Sequence, residues 1–168
     1  FESPEAIFSD YAYFSSFSSS WLKHAEDYVA MITERLGLDK QSLVVELASN
    51  DGYLLQYFVN KGIPCLGIEP AINVAKVAVE KRSVPTDVVF FHAQTARDMK
   101  AAGKMADLVL GNNVLAQIPD LNGFVSGIPI ILKPQGTRTI EFPHLLKMFE
   151  ENQLDTIYHE HVGCFSLL

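Results

Sequence analysis

Leu43-Val44-Val45-Glu46-Leu47-Ala48-Ser49-Asn50-Asp51-Gly52-Tyr53 is the stretch from which the rest of the chain is read. Its first five residues form a short apolar run broken only by Glu46, the pattern of a strand buried on both faces. The residues after Leu47 are small or polar, and Tyr53 opens a helical stretch that extends to Asn60. Asn50 tolerates a left-handed backbone better than most residues, and Gly52 permits close backbone approach where a helix starts. The unpaired N–H groups of such a start attract a carboxylate or a phosphate. Taken alone, the segment is a tight polar turn. Its neighbours make it the first unit of an alternating fold.

Working outward, apolar runs at Leu43–Leu47, Pro64–Ile68, Val88–Phe91, Asp107–Gly111 and Thr137–Phe142 read as five strands. Helical stretches fall between them near Tyr53–Asn60, Ile72–Lys81, Thr95–Ala102 and Leu121–Leu132, with Gly62 and Gly103 as left-handed stops. Gly123, Gly127 and Pro129 interrupt the last of these, so the proline is expected to break it near Ile128. Upstream, Trp21, Leu22, Ala25, Tyr28, Val29, Ile32 and Leu36 recur at helical spacing, and Gly37 is a plausible stop. Strands alternating with helices predict an α/β, doubly wound parallel sheet.

The chain has 168 residues, the size of one domain, and is 48% hydrophobic with 20% charged residues, enough for a buried core. Thirteen Lys and Arg against twenty Asp and Glu leave a net charge of −7, which argues against nucleic acid and membrane surfaces as partners. No apolar run approaches the roughly 18 residues of a membrane span. Cys65 and Cys164 lie far apart without metal-ligand spacing, which suits a reducing cytoplasm and no metal site. His159 and His161 alternate, as a metal pair would in an extended segment, but two ligands are too few for a closed zinc site. Residues 1–20 form an aromatic and serine-rich lead-in, with Phe8 and Phe14 read as core packing, and residues 21–168 form the main domain.

Ligands of doubly wound sheets bind outside the carboxyl ends of the strands. A second such junction is Gly67-Ile68-Glu69-Pro70, where the acceptor-only carboxylate of Glu69 matches the two hydroxyls of a ribose. Phe91, closing the third apolar run, suits an adenine wall. A dinucleotide Gly-x-Gly-x-x-Gly motif fails, because its stations hold Ala48, Asn50 and Tyr53. The pattern Glu-x-Gly-x-Gly-x-Gly fits better, with Glu46 first and Ala48, Asn50 and Gly52 at the glycine stations. It resembles motif I of class I S-adenosylmethionine methyltransferases. The run Ala106-Asp107-Leu108-Val109-Leu110-Gly111-Asn112-Asn113-Val114-Leu115 resembles the fourth-strand motif of the same class.

Longer strings carry a more specific resemblance. They are Phe8-Ser9-Asp10-Tyr11-Ala12-Tyr13-Phe14-Ser15-Ser16, Ala48-Ser49-Asn50-Asp51-Gly52-Tyr53-Leu54-Leu55, Gly67-Ile68-Glu69-Pro70, Gly111-Asn112-Asn113-Val114-Leu115, Ile140-Glu141-Phe142-Pro143-His144 and, above all, Phe149-Glu150-Glu151-Asn152-Gln153-Leu154-Asp155-Thr156-Ile157-Tyr158-His159-Glu160-His161. Together they resemble the nucleotide-sugar C-methyltransferase family. The resemblance implies methylation of the carbon beside the 4-keto group of a nucleoside-diphosphate deoxysugar, through an enolate. It implies S-adenosylmethionine over Ala48, Ser49, Asn50 and Gly52, with Glu46 opening the motif. Glu69 and Pro70 would serve the ribose, and Asn112 and Asn113 the methionine end. His161 would be the base, with Tyr158, Glu160 and Tyr11 (or Tyr13) around the sugar. On spacing alone, His161 would pass for a surface or core histidine. Gln117 stands where the family commonly has histidine, and glutamine can hold an oxygen but cannot take a proton. His24 reads as a solvated helix position, and His92 and His144 have no evident partner. Family members also carry a cysteine-rich zinc-binding domain before this region and another α/β domain after it. A chain that begins at Phe1 and ends on Leu167-Leu168 is accordingly expected to be a piece, cut before the last two of seven strands. The rivals to this reading are a nicotinamide oxidoreductase, another small-molecule methyltransferase and a non-catalytic nucleoside-binding module.

Overall fold

The structure, a computed structural model, describes residues 11–153, 155, 157, 158 and 160–166. Five strands, β1 (Val44–Leu47), β2 (Cys65–Ile68), β3 (Thr86–Asp87), β4 (Ala106–Asn112) and β5 (Leu132–Glu141), form one sheet in the order β3-β2-β1-β4-β5. Every pairing is parallel. The helices are α1 (Ser19–Leu36), α2 (Leu55–Asn60), α3 (Ile72–Arg82), α4 (Ala93–Ala101), α5 (Leu121–Ile131) and α6 (Leu145–Glu150). This is a Rossmann-like class I methyltransferase architecture.

Alternation along the strands sorts the core into two layers. Val44, Leu108 and Leu110 pack with Ala25, Val29 and Ile32 of α1 and with Phe58 of α2. Val45, Leu47 and Val109 pack on the other face with Met99 of α4 and with Phe124, Ile128 and Ile131 of α5. Each such large side chain taken fully out of water contributes about 1.5–3 kcal/mol before entropy is counted. α1 starts where Ser18 Oγ accepts from Trp21 N at 3.2 Å, and it stops at Gly37 in the left-handed conformation. Gly62 and Gly103 are left-handed as well.

Three expectations need correction. The third strand is Thr86–Asp87, not Val88–Phe91. The carbonyls of Pro85 and Asp87 take the N–H groups of Gly67 and Glu69, and the chain then leaves the sheet edge. Val88, Val89 and Phe90 are exposed, and only Phe91 turns inward, so this apolar run makes a cleft wall rather than a strand. Second, Pro129 does not break α5, which continues to Ile131. The proline sits in the last turn, where it forfeits one hydrogen bond but has only two helical residues after it, and buried Phe124, Ile128 and Ile131 hold the helix down. Gly127 lets the helix come close, since a Cβ there would lie 2.9 Å from the Phe91 ring. Third, β5 begins at Leu132 rather than Thr137. Its register jumps from Ala106↔Leu132 to Leu108↔Thr137, so residues 133–136 bulge out. Arg138 is tolerated because β5 is half-buried and pairs on one side only among the described residues.

Candidate active site

The loop after β1 takes the left-handed conformation at Ala48 (φ 57°), Asn50 (φ 49°) and Gly52 (φ 74°), the three stations where motif I carries glycine. For alanine and asparagine that conformation costs roughly 1–2 kcal/mol each, a strain the surrounding contacts must hold. Asn50 shows how they do so. Its backbone N–H donates to Glu69 Oε2 at 2.8 Å, its Nδ2 donates to the carbonyl of Tyr13 at 3.0 Å, and its Oδ1 accepts from Ser15 N at 3.0 Å. One residue thus ties the loop to the end of β2 and to the lead-in. Asp51, beside it, is buried and faces the Arg82 guanidinium at 3.5 Å.

Glu69 is buried at the end of β2, with Oε1 accepting from Ala71 N at 2.9 Å. Burial raises its pKa, and the two backbone donors partly offset this. Each carboxylate oxygen has further lone pairs, and Glu69 lines a cleft of about 1080 Å³ at the carboxyl ends of the strands. Ala48, Asn50, Pro70, Phe91, Asn112 and Asn113 line the same cleft. Ser49, Gly52 and Glu46 sit beneath it. A Cβ on Gly67 would lie 2.3 Å from Ser49 Oγ, so that hydroxyl is folded against β2. Glu46 is 1% exposed, and neither of its carboxylate oxygens has a hydrogen-bond partner. Burial, with Glu69 and Asp51 nearby, holds its pKa well above the usual carboxylate range.

The other wall carries the residues assigned to the acceptor: Tyr11, Tyr13, Gln117, Tyr158, Glu160 and His161. The lead-in reaches the cleft because the Asn73 side chain clasps Tyr11, accepting from its N–H at 3.1 Å and donating to its carbonyl at 2.8 Å. The Tyr11 hydroxyl donates to Glu160 Oε2 at 3.4 Å and also meets the Gln117 side chain. Burial, then the negative charge of Glu160, raises the Tyr11 pKa and keeps the hydroxyl protonated. The segment after Tyr158 is pinned to the turn that follows β4, where Val162 N donates to the Ala116 carbonyl at 2.7 Å. The Tyr158 and His161 rings pack at 4.1 Å between centroids. His159 and Phe8 lie outside the described residues. Among the described residues no cluster of three metal-ligating side chains occurs, and no helix is long and apolar enough to cross a membrane.

His24 and its neighbours were not legible in the sequence as site residues. His24 is not simply solvated: it lines the cleft, and its Nε2 lies 2.8 Å from Glu141 Oε2 at the end of β5. Trp21 stacks on His24 at 4.9 Å and on Tyr53 at 6.0 Å. The one sequence signal was Trp21 and His24 sharing a helical face; Glu141 is 117 residues away. His92 also gains a role, its Nδ1 accepting from Gln94 N and Thr95 N as the cap of α4.

A parallel sheet in this order, with a left-handed loop after β1 and a buried carboxylate after β2, defines a class I methyltransferase. Comparison with known proteins agrees: residues 21–167 match the family described as "Methyltransferase domain", and the chain belongs to that family. It is 37% identical over 164 residues to the C-methyltransferase NovU of Streptomyces niveus, an alignment covering 98% of this chain and 39% of that protein. The chain therefore spans well under half the length of that relative. Among solved structures it resembles the PH0226 protein of Pyrococcus horikoshii OT3 (TM-score 0.64, 18% identity, 83% of this chain and 62% of that one). It also resembles the plantazolicin methyltransferase BpumL, solved in complex with a monoazolic desmethylPZN analogue and SAH (TM-score 0.60, 11% identity, 84% of this chain and 53% of that one). The cofactor is S-adenosylmethionine. The cleft fits it: the left-handed loop brings backbone to the cleft floor, and Glu69 keeps acceptor capacity there for a ribose.

Proposed function

We propose that the protein methylates a carbon atom of a nucleoside-diphosphate deoxysugar, at the position beside its 4-keto group. The observation that carries this reading is the meeting, in one cleft, of the Ala48–Gly52 loop and Glu69 with Tyr11, Gln117, Tyr158, Glu160 and His161. Such a carbon is only weakly acidic, so its proton must be removed by a base while charge moving onto the keto oxygen is stabilised. His161 takes the proton, since a neutral imidazole carries one nitrogen that can accept it. The packed Tyr158 ring limits how the imidazole can turn. Tyr11, kept protonated, turns its hydroxyl from Glu160 to donate to the keto oxygen, and Gln117 steadies that oxygen by hydrogen bonding and not as an acid. Bound S-adenosylmethionine supplies an electrophilic methyl group on positively charged sulfur. Ala48, Asn50, Glu69 and Pro70 bind its nucleoside half, Phe91 walls the adenine, and Asn112 and Asn113 lie toward the other end. Ser49, Gly52 and Glu46 shape the loop from below. The likeness to NovU supports carbon as the acceptor atom. Residues 1–20 act as the lead-in to a partial domain at 21–168, with zinc-binding and C-terminal domains as its partners in the same polypeptide.

The test is to incubate the protein with S-adenosylmethionine and a 4-keto deoxysugar nucleotide in heavy water. Deuterium beside the keto group and a new carbon–carbon bond to the methyl are expected. A methyl attached to oxygen or nitrogen would overturn the C-methylation reading while leaving the methyltransferase class intact.

A further inference from the structure

Residues 11–14 belong to no helix or strand, so their backbone groups need partners from elsewhere. Two asparagine side chains supply them. Asn73 Oδ1 accepts from Tyr11 N at 3.1 Å while its Nδ2 donates to the Tyr11 carbonyl at 2.8 Å. Asn50 takes the Tyr13 carbonyl and the Ser15 N–H in the same manner. We infer that Asn73 is a positioning residue for methyl transfer: by fixing the Tyr11 backbone it sets the Tyr11 hydroxyl against the acceptor.

The chemistry of the amide supports the assignment. A carboxamide carries a donor and an acceptor side by side, so one asparagine satisfies both backbone groups of one residue, as a neighbouring strand would. Because the hold is on backbone, it fixes where Tyr11 sits without covering its ring. Asn73 lies in the first turn of α3, and these two hydrogen bonds go to Tyr11, not to the helix's own backbone. The helix itself is anchored by buried Val74, Ala75 and Ala78, so the clasp is not what keeps α3 in place. Its mount is firm on the sheet side too. Asn73 stands just past Glu69, whose two oxygens take the N–H groups of Asn50 and Ala71. Alternate residues of an extended segment face the same way. Tyr11 and Tyr13 accordingly both line the cleft, and their rings meet edge-on at 6.5 Å between centroids. From this mount the Tyr11 hydroxyl reaches Glu160 and Gln117 on the acceptor wall. A misplacement of about 1 Å caused far from the chemistry costs up to about a hundredfold in rate, so a hold on the Tyr11 backbone bears on turnover.

The inference rests on the reading that the Tyr11 hydroxyl donates to the acceptor, and a double-mutant cycle separates the two. Single-turnover methylation of a 4-keto deoxysugar nucleotide is measured for the unmodified protein, Tyr11→Phe, Asn73→Ala and the double variant, with S-adenosylmethionine affinity by calorimetry on the same samples. Tyr11→Phe should slow turnover about a hundredfold, the scale of losing one donor to a developing oxyanion. Asn73→Ala should slow it about tenfold and leave cofactor affinity within about twofold. In the Tyr11→Phe background the same change should cost less than about twofold, because the hydroxyl it places is gone. An equal loss in both backgrounds, or a cofactor affinity that falls with the rate, would make Asn73 a structural brace and overturn the inference. An unslowed Asn73→Ala beside a slowed Tyr11→Phe would overturn it as well. An unslowed Tyr11→Phe, or no methylation of this acceptor by the unmodified protein, is a different outcome: it overturns the reading of the acceptor wall, and the inference with it.

Discussion

On the cofactor side of the cleft, Ala48, Asn50, Glu69 and Asn112 belong to the carboxyl ends of sheet strands or to the loops directly after them. On the acceptor side, Tyr11, Tyr158, Glu160 and His161 come from segments outside the sheet, held by Asn73, Asn50 and the Ala116 carbonyl. In the first set Asn50 and Glu69 are buried and held by hydrogen bonds to each other and to backbone groups around them. In the second, Tyr158 is 44% exposed and the Tyr11–Glu160 bond is long, at 3.4 Å. The contrast teaches that cofactor-side residues carry folding energy along with binding, whereas acceptor-side residues can be removed with little loss of fold. Substitutions on the two sides should therefore separate rate from stability.

The largest expected effect is on the acceptor side. His161→Ala should lower turnover about a thousandfold, the usual scale for removing a general base, with unchanged melting temperature and S-adenosylmethionine affinity. Single-turnover kinetics and calorimetry on the same sample check this. A melting temperature that falls with the rate would make His161 a structural residue and remove the contrast. Glu69→Ala is the counterpart on the other wall. It leaves the N–H groups of Asn50 and Ala71 buried without an acceptor, at roughly 1–3 kcal/mol each. Denaturant titration should show a loss of about 2–6 kcal/mol, together with lost cofactor binding. A large loss of affinity at full stability would show that Glu69 binds ligand without bracing the loop.

The same division explains what could be read from the sequence. Strands β1, β2 and β4 are buried apolar runs, and burial on both faces leaves that mark wherever it occurs. Of the three left-handed positions, Asn50 was legible from its residue type, while Ala48 and Gly52 were legible only as glycine stations of the motif. The third strand was misplaced because Val88–Phe91 is as apolar as a strand, although its side chains wall a cleft instead of filling a core. Pro129 misled because propensity is local, while the packing of Phe124, Ile128 and Ile131 is not. His24 could not be recognised as a site residue because its meaning depends on Glu141, and only the closed sheet brings the two together.

Asn50 joins the two sides, so it offers a finer cut. Asn50→Gly keeps a residue that accepts the left-handed conformation and keeps the backbone donor to Glu69, but removes the clasp on Tyr13 and Ser15. Two neutral hydrogen bonds are each worth about 0.5–1.5 kcal/mol. Acceptor kcat/KM should fall about tenfold while cofactor affinity changes by less than about threefold. Equal losses in both would mean that the lead-in braces the cofactor loop as much as the acceptor wall.

Glu46→Gln should have the smallest effect on activity and sharpens the comparison from within the core. The folded-state pKa of Glu46 lies well above the usual carboxylate value of 4.5, because burial and the neighbouring Glu69 and Asp51 oppose its charge. The native protein therefore holds a proton that the unfolded chain has already released. By linkage, stability falls as pH rises from the unfolded value toward the folded pKa, and it levels off above that. Glutamine has no proton to lose, so the variant lacks this slope. Glu69, whose pKa is raised in the same direction, is present in both proteins, so the difference reports the Glu46 proton together with its repulsion by Glu69. Melting temperatures measured from about pH 4 to about pH 8 should thus diverge, with the variant gaining on the parent as pH rises. A gap constant across that range would mean that Glu46 is ionised in the native state and has an ionic role that the sealed carboxyl excludes.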